Sequence, residues 1–307
     1  MKIDFRVTNP IATSIPLDYK IYKQQQEQQK QNEQQQTISV PVTTTSEPIK
    51  KRTNRSEEQF RQIFMKTGVV SQASGSAYIE IENTKVICSV HGPRASPKTE
   101  LFESAKFSCE LKFASFARPG ERIDYMESAK EKDLSINLRQ SIIGAIRLEK
   151  YPKTVIDVYV MVLNDDGGVL VAAITAASMA LADAGVEMYD MVSACSSICI
   201  RNQSISNGSN GSGSGNGSSG AAPKVQSSIL LDPTLQEEES KDSLGCVVVA
   251  KMPSLNEITQ IIQTGELSYN NTIDGIDLCI DGCDKIYSIM KQNLISSLEK
   301  QVSKKLE

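Results

Sequence analysis

The chain is poor in the residues and motifs that mark several common functional classes. Its 307 residues include one histidine, His91, and no run of 18 apolar residues, so we expect no membrane span. The net charge of -4 and the pI of about 5.4 do not suit a free-standing nucleic-acid binder, which needs a strong positive field. The Gly-x-Gly-x-x-Gly, Walker A and His-Glu-x-x-His patterns are also missing. The sequence therefore argues against nucleotide-binding loops and zinc-protease sites.

Seven cysteines are present, but their spacing does not predict a metal site. Cys195 and Cys199 lie in a β pattern, where four residues span roughly 13 Å, too far to share one zinc ion. Cys279 and Cys283 have the same spacing on a predicted helix, without a Cys-x-x-Cys pair or further histidines. We therefore expect no metal and no cofactor, and interpret the thiols as small buried side chains. The first ten residues carry Asp4 and no apolar segment, so we expect no secretory signal and an intracellular, reducing compartment.

Two segments have a composition typical of disorder. The first is an N-terminal extension, residues 1–56, with a Gln-rich tract from Gln24 to Gln36. The second is a Gly/Ser/Asn-rich loop at 202–223, whose ends as a flexible coil lie roughly 25 Å apart. Because strand patterns resume on both sides, we interpret it as an expanded loop within one domain, 57–306. A short basic run consists of Lys50, Lys51, Arg52 and Arg55. We interpret these residues as solvated charges, with a nuclear-import signal as the alternative.

Hydrophobic periodicity across the predicted domain indicates mixed strands and helices. Gly75–Glu82 alternates as a strand and Lys85–Val90 returns, which predicts a hairpin. The Ala-rich segment Val169–Ala184 has small side chains on every face, which predicts a buried helix with Gly185 as its C-terminal cap and the turn Asp165–Gly168 as its N-terminal cap. The other predicted strands are Phe64–Ser71, Phe107–Phe116, Thr154–Leu163, Met191–Arg201, Ser227–Leu231 and Gly245–Met252, and the other helices are Asp133–Glu149 and Asn271–Lys304. Strands in runs with few helices between them favour an α+β fold of mixed α/β layers, in which sheets pack against helices, over a doubly wound Rossmann sheet.

Several blocks of the sequence, in order along the chain, resemble the RNase PH family. The blocks are Gly68–Arg94, Tyr151–Gly168, Leu181–Val192, Leu230–Thr234 and Lys251–Asn256. The likeness is greatest to the catalytically degenerate ring subunits of the eukaryotic RNA exosome that are named for mRNA-transport regulation. It implies an RNase PH fold in a six-membered ring of RNase PH-like chains, with S1/KH-type cap subunits on one face and RNA threaded through the centre. It also implies the nucleus and nucleolus, together with the cytoplasm, and no membrane partner.

Active members of this family degrade RNA from its 3′ end by phosphorolysis, and the resemblance places their functional positions on this chain. The hydroxyl and guanidinium that hold phosphate at the start of the Ala-rich helix correspond to Val169 and Leu170. The arginine pair before the earlier helix corresponds to Ala129 and Lys130, and the catalytic aspartate corresponds to Cys246. Because removing one electrostatic anchor alone costs about 10²-fold or more, the resemblance implies a structural subunit with no catalytic residue.

Four basic residues are candidate RNA contacts: Arg94, Lys98, Arg118 and Arg122. Each has an alternative interpretation as an ordinary surface charge or an intersubunit salt bridge. The alternative function is a 3′-to-5′ exoribonuclease with residual phosphorolytic activity, using Asp242 or the acidic run Glu237–Glu239, although such a run is usually a solvated loop. A small-molecule enzyme on a similar two-layer fold is a third interpretation, and the missing nucleotide-binding loop argues against it.

Overall fold

The computed structural model describes residues 52, 55–95, 104–118, 122, 128–201 and 227–306. Within these ranges the strands are β1 Ile63–Thr67, β2 Gly75–Ile81, β3 Thr84–Ala95, β4 Lys106–Phe113, β5 Thr154–Asn164, β6 Ser193–Arg201, β7 Ser227–Leu231, β8 Ser243–Met252 and β9 Glu257–Gly265. The helices are α1 Ala129–Ile143, α2 Val169–Asp183, α3 Leu235–Glu238 and α4 Tyr269–Leu306, with a 3₁₀ turn at Leu148–Lys150. The predicted Gln-rich tract and the predicted loop at 202–223 lie outside the described residues.

The first sheet has the order β1-β2-β3-β5-β4, and only the β4–β5 pair is parallel. The predicted hairpin is confirmed, because β2 and β3 pair with Ala77 opposite Cys88 and Ile79 opposite Val86. These four side chains are fully buried, as the period of two requires for one covered face. β3 is longer than predicted and runs through Gly92 to Ala95 with a register shift. The Gly-Pro-Arg block therefore lies within a strand and does not follow one.

The second sheet has the order β7-β6-β8-β9 and is antiparallel throughout. Strand β6 is buried on both faces along eight of its nine residues. β9 is absent from the sequence prediction, because its nine residues are half-exposed or exposed and show no clean alternation. Its place in the sheet comes from main-chain pairing with β8, which the sequence pattern does not encode.

Helix α2 lies between the two sheets and is the centre of the core. Twelve of its fifteen residues are buried, and eight of the residues from Val169 to Ala184 are small enough for close approach. At Gly75 on β2, a Cβ would collide with the backbone of Ala180 and Ala184, so glycine is required there. Gly185 has a φ of 72°, its N–H bonds to Ala182 and that of the next residue bonds to Leu181, which confirms the predicted glycine cap.

Helices α1 and α4 cover the remaining faces. α1 starts four residues earlier than predicted, because Ser128 and Glu131 form a reciprocal capping box. α4 packs its buried Cys279 and Cys283 against the second sheet, as the interpretation of small buried thiols requires. Burial raises the pKa of the Cys283 thiol to about 12, so the thiol stays protonated at neutral pH. In the part of the chain that the structure describes, no helix is long and apolar enough to cross a membrane, and no cluster of metal-ligating side chains forms.

Candidate functional site

The start of helix α2 is a tight turn of two glycines in the left-handed region. Gly167 has a φ of 83° and Gly168, the N-cap residue, has a φ of 66°. A Cβ at Gly167 would lie 2.6 Å from the backbone nitrogen of Leu235, so this turn touches α3 directly. The predicted turn precedes α2 and supplies its N-cap residue, but no side chain of the turn accepts a bond from the helix N-terminus. Asp165 instead accepts a bond from Gly167 within the turn.

A carboxylate from α3 occupies this helix N-terminus. The Gly168 N–H donates to Glu238 Oε1 at 3.0 Å. Glu238 is half-buried, and burial raises the pKa of its carboxyl. The bond from Gly168 lowers this pKa, the charge of Asp165 raises it, and the charges of Arg61 and Lys130 lower it, with a net increase. The carboxylate therefore lies within electrostatic range of two cations at the positive end of a helix dipole.

The thiol of Cys246 lies in the same neighbourhood. Cys246 is on β8, opposite Ile198 of β6 and Thr264 of β9. Burial, followed by the negative charges of Glu238 and Cys279, raises the pKa of this thiol to about 12. At neutral pH it is a neutral, poorly accessible group that has none of the chemistry of a carboxylate.

The other positions that the resemblance singles out begin the two neighbouring helices. Val169 is buried in the core and Leu170 is half-buried against it, so the first turn of α2 presents apolar side chains. Ala129 and Lys130 begin α1 and are exposed, with the Lys130 ammonium 6.0 Å from the centre of the Phe113 ring. The charge of Lys130 lowers the pKa of Glu238 and the charge of Glu238 raises the pKa of Cys246, so these two positions lie within electrostatic range of one carboxylate.

A buried ion pair that the sequence analysis did not identify supports the turn from below. Arg61 binds Asp232 through two nitrogens at 2.6 and 3.0 Å, and it also donates to the carbonyl oxygens of Asp166 and Gly167 at 2.8 and 3.3 Å. Its side chain is fully buried. Burial acts to lower the pKa of Arg61, but the hydrogen bond and the charge of Asp232 raise this pKa above its ordinary value. The sequence around Arg61 carries no pattern that points to Asp232, because the two residues lie 171 positions apart.

Arg52 and Arg55 bind Glu237, the neighbour of Glu238 on α3. The Arg52 guanidinium binds both oxygens of Glu237 at 2.6 and 2.7 Å, and Arg55 lies 3.5 Å from Glu237 and 3.6 Å from Asp232. Glu237 also completes a capping box with Thr234. Burial acts to raise the pKa of Glu237, but the bonds from Arg52 and Thr234 hold this pKa below its ordinary value. The interpretation of both the basic run and the acidic run as solvated is wrong for these residues; the two lysines before Arg52 lie outside the described residues.

Among the acidic groups of the alternative function, Asp242 is separated from Cys246, whereas Glu238 lies near enough for its charge to raise the pKa of that thiol. Asp242 immediately precedes β8 and its carbonyl accepts a bond from the Arg201 N–H at 2.9 Å, at the far end of the β6–β8 ladder. Four residues of strand span roughly 13 Å, so Asp242 does not take the position of Cys246. Glu239 is exposed.

The candidate RNA contacts are placed differently from one another. Arg94 is 61% exposed on β3 and donates to Asp157, whereas the side chain of Arg118 is 23% exposed and donates to the buried Asp165 at 2.9 Å. Arg118 is therefore held in an intramolecular ion pair. Arg122 is exposed, and Lys98 lies outside the described residues.

Comparison with known proteins assigns the chain to a family. Residues 59–187 match the model of the 3′ exoribonuclease family, domain 1. The chain is 36% identical to the exosome complex component RRP41-like of Arabidopsis thaliana over 79% of its length and 83% of that protein. It is 31% identical to the exosome complex component MTR3 of Homo sapiens over 80% of its length and 87% of that protein. The chain belongs to the RNase PH-like exosome subunits.

Solved structures share the fold of this RNase PH-like chain. Rice Rrp46 superposes with a TM-score of 0.61 at 21% identity, covering 78% of this chain and 98% of that one. A chain of the Archaeoglobus fulgidus exosome with RNA bound to the active site gives 0.60 at 17% identity, covering 76% and 89%. These superpositions confirm the predicted α+β fold of the RNase PH type.

Proposed function

We propose that this RNase PH-like chain is a non-catalytic structural subunit of the exosome core ring. The observation that carries the proposal is the set of side chains at the positions that the family uses for phosphorolysis. The positions that the family resemblance assigns to binding phosphate, binding RNA and supplying a carboxylate are occupied by Val169 and Leu170 on α2, Ala129 and Lys130 on α1, and Cys246 on β8. Among them only Lys130 carries a charge at neutral pH, and a single ammonium lacks the bidentate fork of an arginine.

Phosphorolysis demands more than this site offers. The attacking phosphate and the scissile phosphodiester are both anions, and their transition state needs fixed donors and cations. Here a carboxylate lies at the helix N-terminus and a thiol with a pKa of about 12 replaces the acidic group. An anion brought to this turn would meet Glu238 and Asp165 before it met a guanidinium that is free to bind it.

We propose that the chain acts through its surfaces, in 3′-to-5′ processing and degradation of rRNA, small RNA and mRNA. Its partners are other RNase PH-like ring subunits, S1/KH-type cap subunits and the RNA threaded through the assembled channel. The names of its relatives and the exposed edge strand β9, with Ile258 and Ile261 outward, support assembly with other chains. An acidic chain suits this role, because several subunits together build the basic RNA path. We place the assembly in the nucleus and nucleolus and also in the cytoplasm.

Two measurements on the full chain test the proposal. Native mass measurement of the affinity-purified assembly is expected to show other RNase PH-like chains and S1-type caps. An assay for phosphate-dependent release of nucleoside diphosphates from RNA is expected to give no turnover with the chain alone. Turnover that disappears in Asp242→Asn but persists in Glu239→Gln would instead establish the alternative function, a residual phosphorolytic exoribonuclease.

A further inference from the structure

We propose that Glu238 is a built-in anion, which fills the N-terminal turn of α2 and keeps inorganic phosphate out of it. The inference rests on the proposed function in treating this turn as the place where a phosphate would bind. It goes further in naming the group that occupies the place and the chain elements that hold it there.

The geometry of the turn favours an anion over an empty pocket. α2 has fifteen residues, no side-chain cap and no acidic residue in its first turn, so its N–H groups and positive dipole end need a partner. The Glu238 carboxylate supplies one at 3.0 Å from the Gly168 nitrogen. It comes from a different element, 70 residues further along the chain, and not from the turn itself.

The charges around the turn leave Glu238 as the matching anion. Asp165 is paired with Arg118, and Asp232 is paired with Arg61, both in contacts of 3.0 Å or less. Arg61 also runs close beneath the turn, since a Cβ on Gly168 would lie 3.0 Å from its Nη2 atom. Removing the Glu238 carboxylate would leave the helix dipole, Arg61 and Lys130 with one negative charge fewer around them. A small anion of similar charge then fits the same electrostatic position.

Rigid contacts hold the carboxylate in place. The Leu235 N–H of α3 donates to the Asp166 carbonyl at 3.1 Å, which ties α3 to the turn before α2. Within α3, Glu237 is held by Arg52 and by its capping box with Thr234. Since Glu237 and Glu238 are adjacent, the clamp on one fixes the backbone from which the other projects. The position of Glu238 is therefore set by α3 and by Arg52, and not by a flexible side chain alone.

Phosphate binding to the full chain tests the inference. We expect Glu238→Ala to bind radiolabelled inorganic phosphate at least tenfold more tightly than the unmodified chain in equilibrium dialysis at matched ionic strength in chloride. The matched control is Glu239→Ala, which removes one exposed carboxylate from the next position and should leave phosphate binding unchanged. Equal phosphate binding by the two variants would overturn the inference.

A second measurement uses the unmodified chain and so does not depend on how a variant folds. With ¹⁵N-glycine labelling, the Gly168 amide resonance is expected to shift as Glu238 ionises, and this pH dependence should vanish in Glu238→Gln. A Gly168 amide resonance whose chemical shift does not change with pH, across the range where carboxyl groups titrate, would also overturn the inference.

The two proposals fail in different ways. Release of nucleoside diphosphates by the unmodified chain would overturn the proposed function, whatever phosphate binding shows. Tighter phosphate binding by Glu238→Ala without any turnover would support both, because the side chains for phosphorolysis are still missing.

Discussion

Arg61 and Asp232 form the charge pair on which the turn before α2 most depends. Arg61→Met leaves the buried Asp232 carboxylate with only the longer contact to Arg55 at 3.6 Å. Breaking a buried ion pair costs about 3–5 kcal/mol in the free energy of unfolding. Urea unfolding of the full chain measures this change. The double variant Arg61→Met with Asp232→Asn should recover part of the loss, since no unpaired charge remains.

An exposed pair gives the matched control. Lys85→Met breaks the contact of Lys85 with Glu80, where both side chains are partly open to solvent, and should change the free energy of unfolding far less than Arg61→Met does. Equal losses for Lys85→Met and Arg61→Met would contradict the role given to the buried pair.

The raised pKa of Glu238 predicts that the free energy of unfolding depends on pH. Because its pKa is raised in the folded chain, the stability that its protonated form contributes is lost as pH rises through the folded pKa. Glu238→Gln keeps an acceptor for Gly168 but cannot ionise. The free energy of unfolding of this variant, relative to the unmodified chain, should therefore increase from about pH 4 to about pH 7.

Glu237 serves as the counterexample on the same short helix. Its pKa is lowered, so its stabilising contribution is present above the ordinary pKa and is lost as pH falls through the folded pKa. Glu237→Gln should then lose stability relative to the unmodified chain as pH rises from about pH 3 to about pH 6. Parallel pH profiles for the two variants would show that the environments of the two carboxyl groups are wrongly assigned.

At the level of elements, two glycines at helix ends make a matched pair. Gly185 has a φ of 72° and Gly144 a φ of -69°, and a Cβ on either would meet no atom within 4 Å. Gly185→Ala should cost about 1–2 kcal/mol from left-handed strain alone. Gly144→Ala should be neutral or stabilise by about 0.4–1 kcal/mol, because it restricts the unfolded chain. Thermal unfolding of the two variants measures the difference, and a loss at both positions would point to packing instead of backbone strain.

The elements that the sequence predicted well are those with a strong local pattern. The β2–β3 hairpin alternates strictly and the Ala-rich helix ends before a glycine, so β2 and the helix were predicted within one residue, whereas β3 runs five residues beyond its predicted end. α3 and β9 were missed because their residues read as a charged run and an irregular polar stretch. Each forms through partners elsewhere, Arg52 in one case and β8 in the other.

For the whole molecule, the prediction concerns RNA in the assembled ring. Reversing the charge of Arg94 and Lys98 to glutamate should weaken RNA binding by the complex and reduce its salt dependence by a slope of about 0.7 per lost contact. Lys85→Glu, on the same strand as Arg94, is the control and should leave RNA binding unchanged. Native mass spectrometry should show that the ring is intact in both variants. Unchanged RNA affinity after the double reversal would remove these residues from the RNA path.

The sequence by itself determined the fold class and the family, and it predicted the positions whose side chains would lack the chemistry of phosphorolysis. These follow from local periodicity, from caps and from blocks in a fixed order, and none of them requires knowing which residues meet. Only the tertiary structure decided the contacts of the acidic run, which the sequence indicated to be solvated. In the structure Glu238 accepts a bond from the Gly168 N–H, Arg61 donates to the carbonyl of Gly167 in the turn, and Arg52 binds the neighbouring Glu237. These partners lie 70 to 185 residues apart, and their pairing depends on the packing of both sheets around α2.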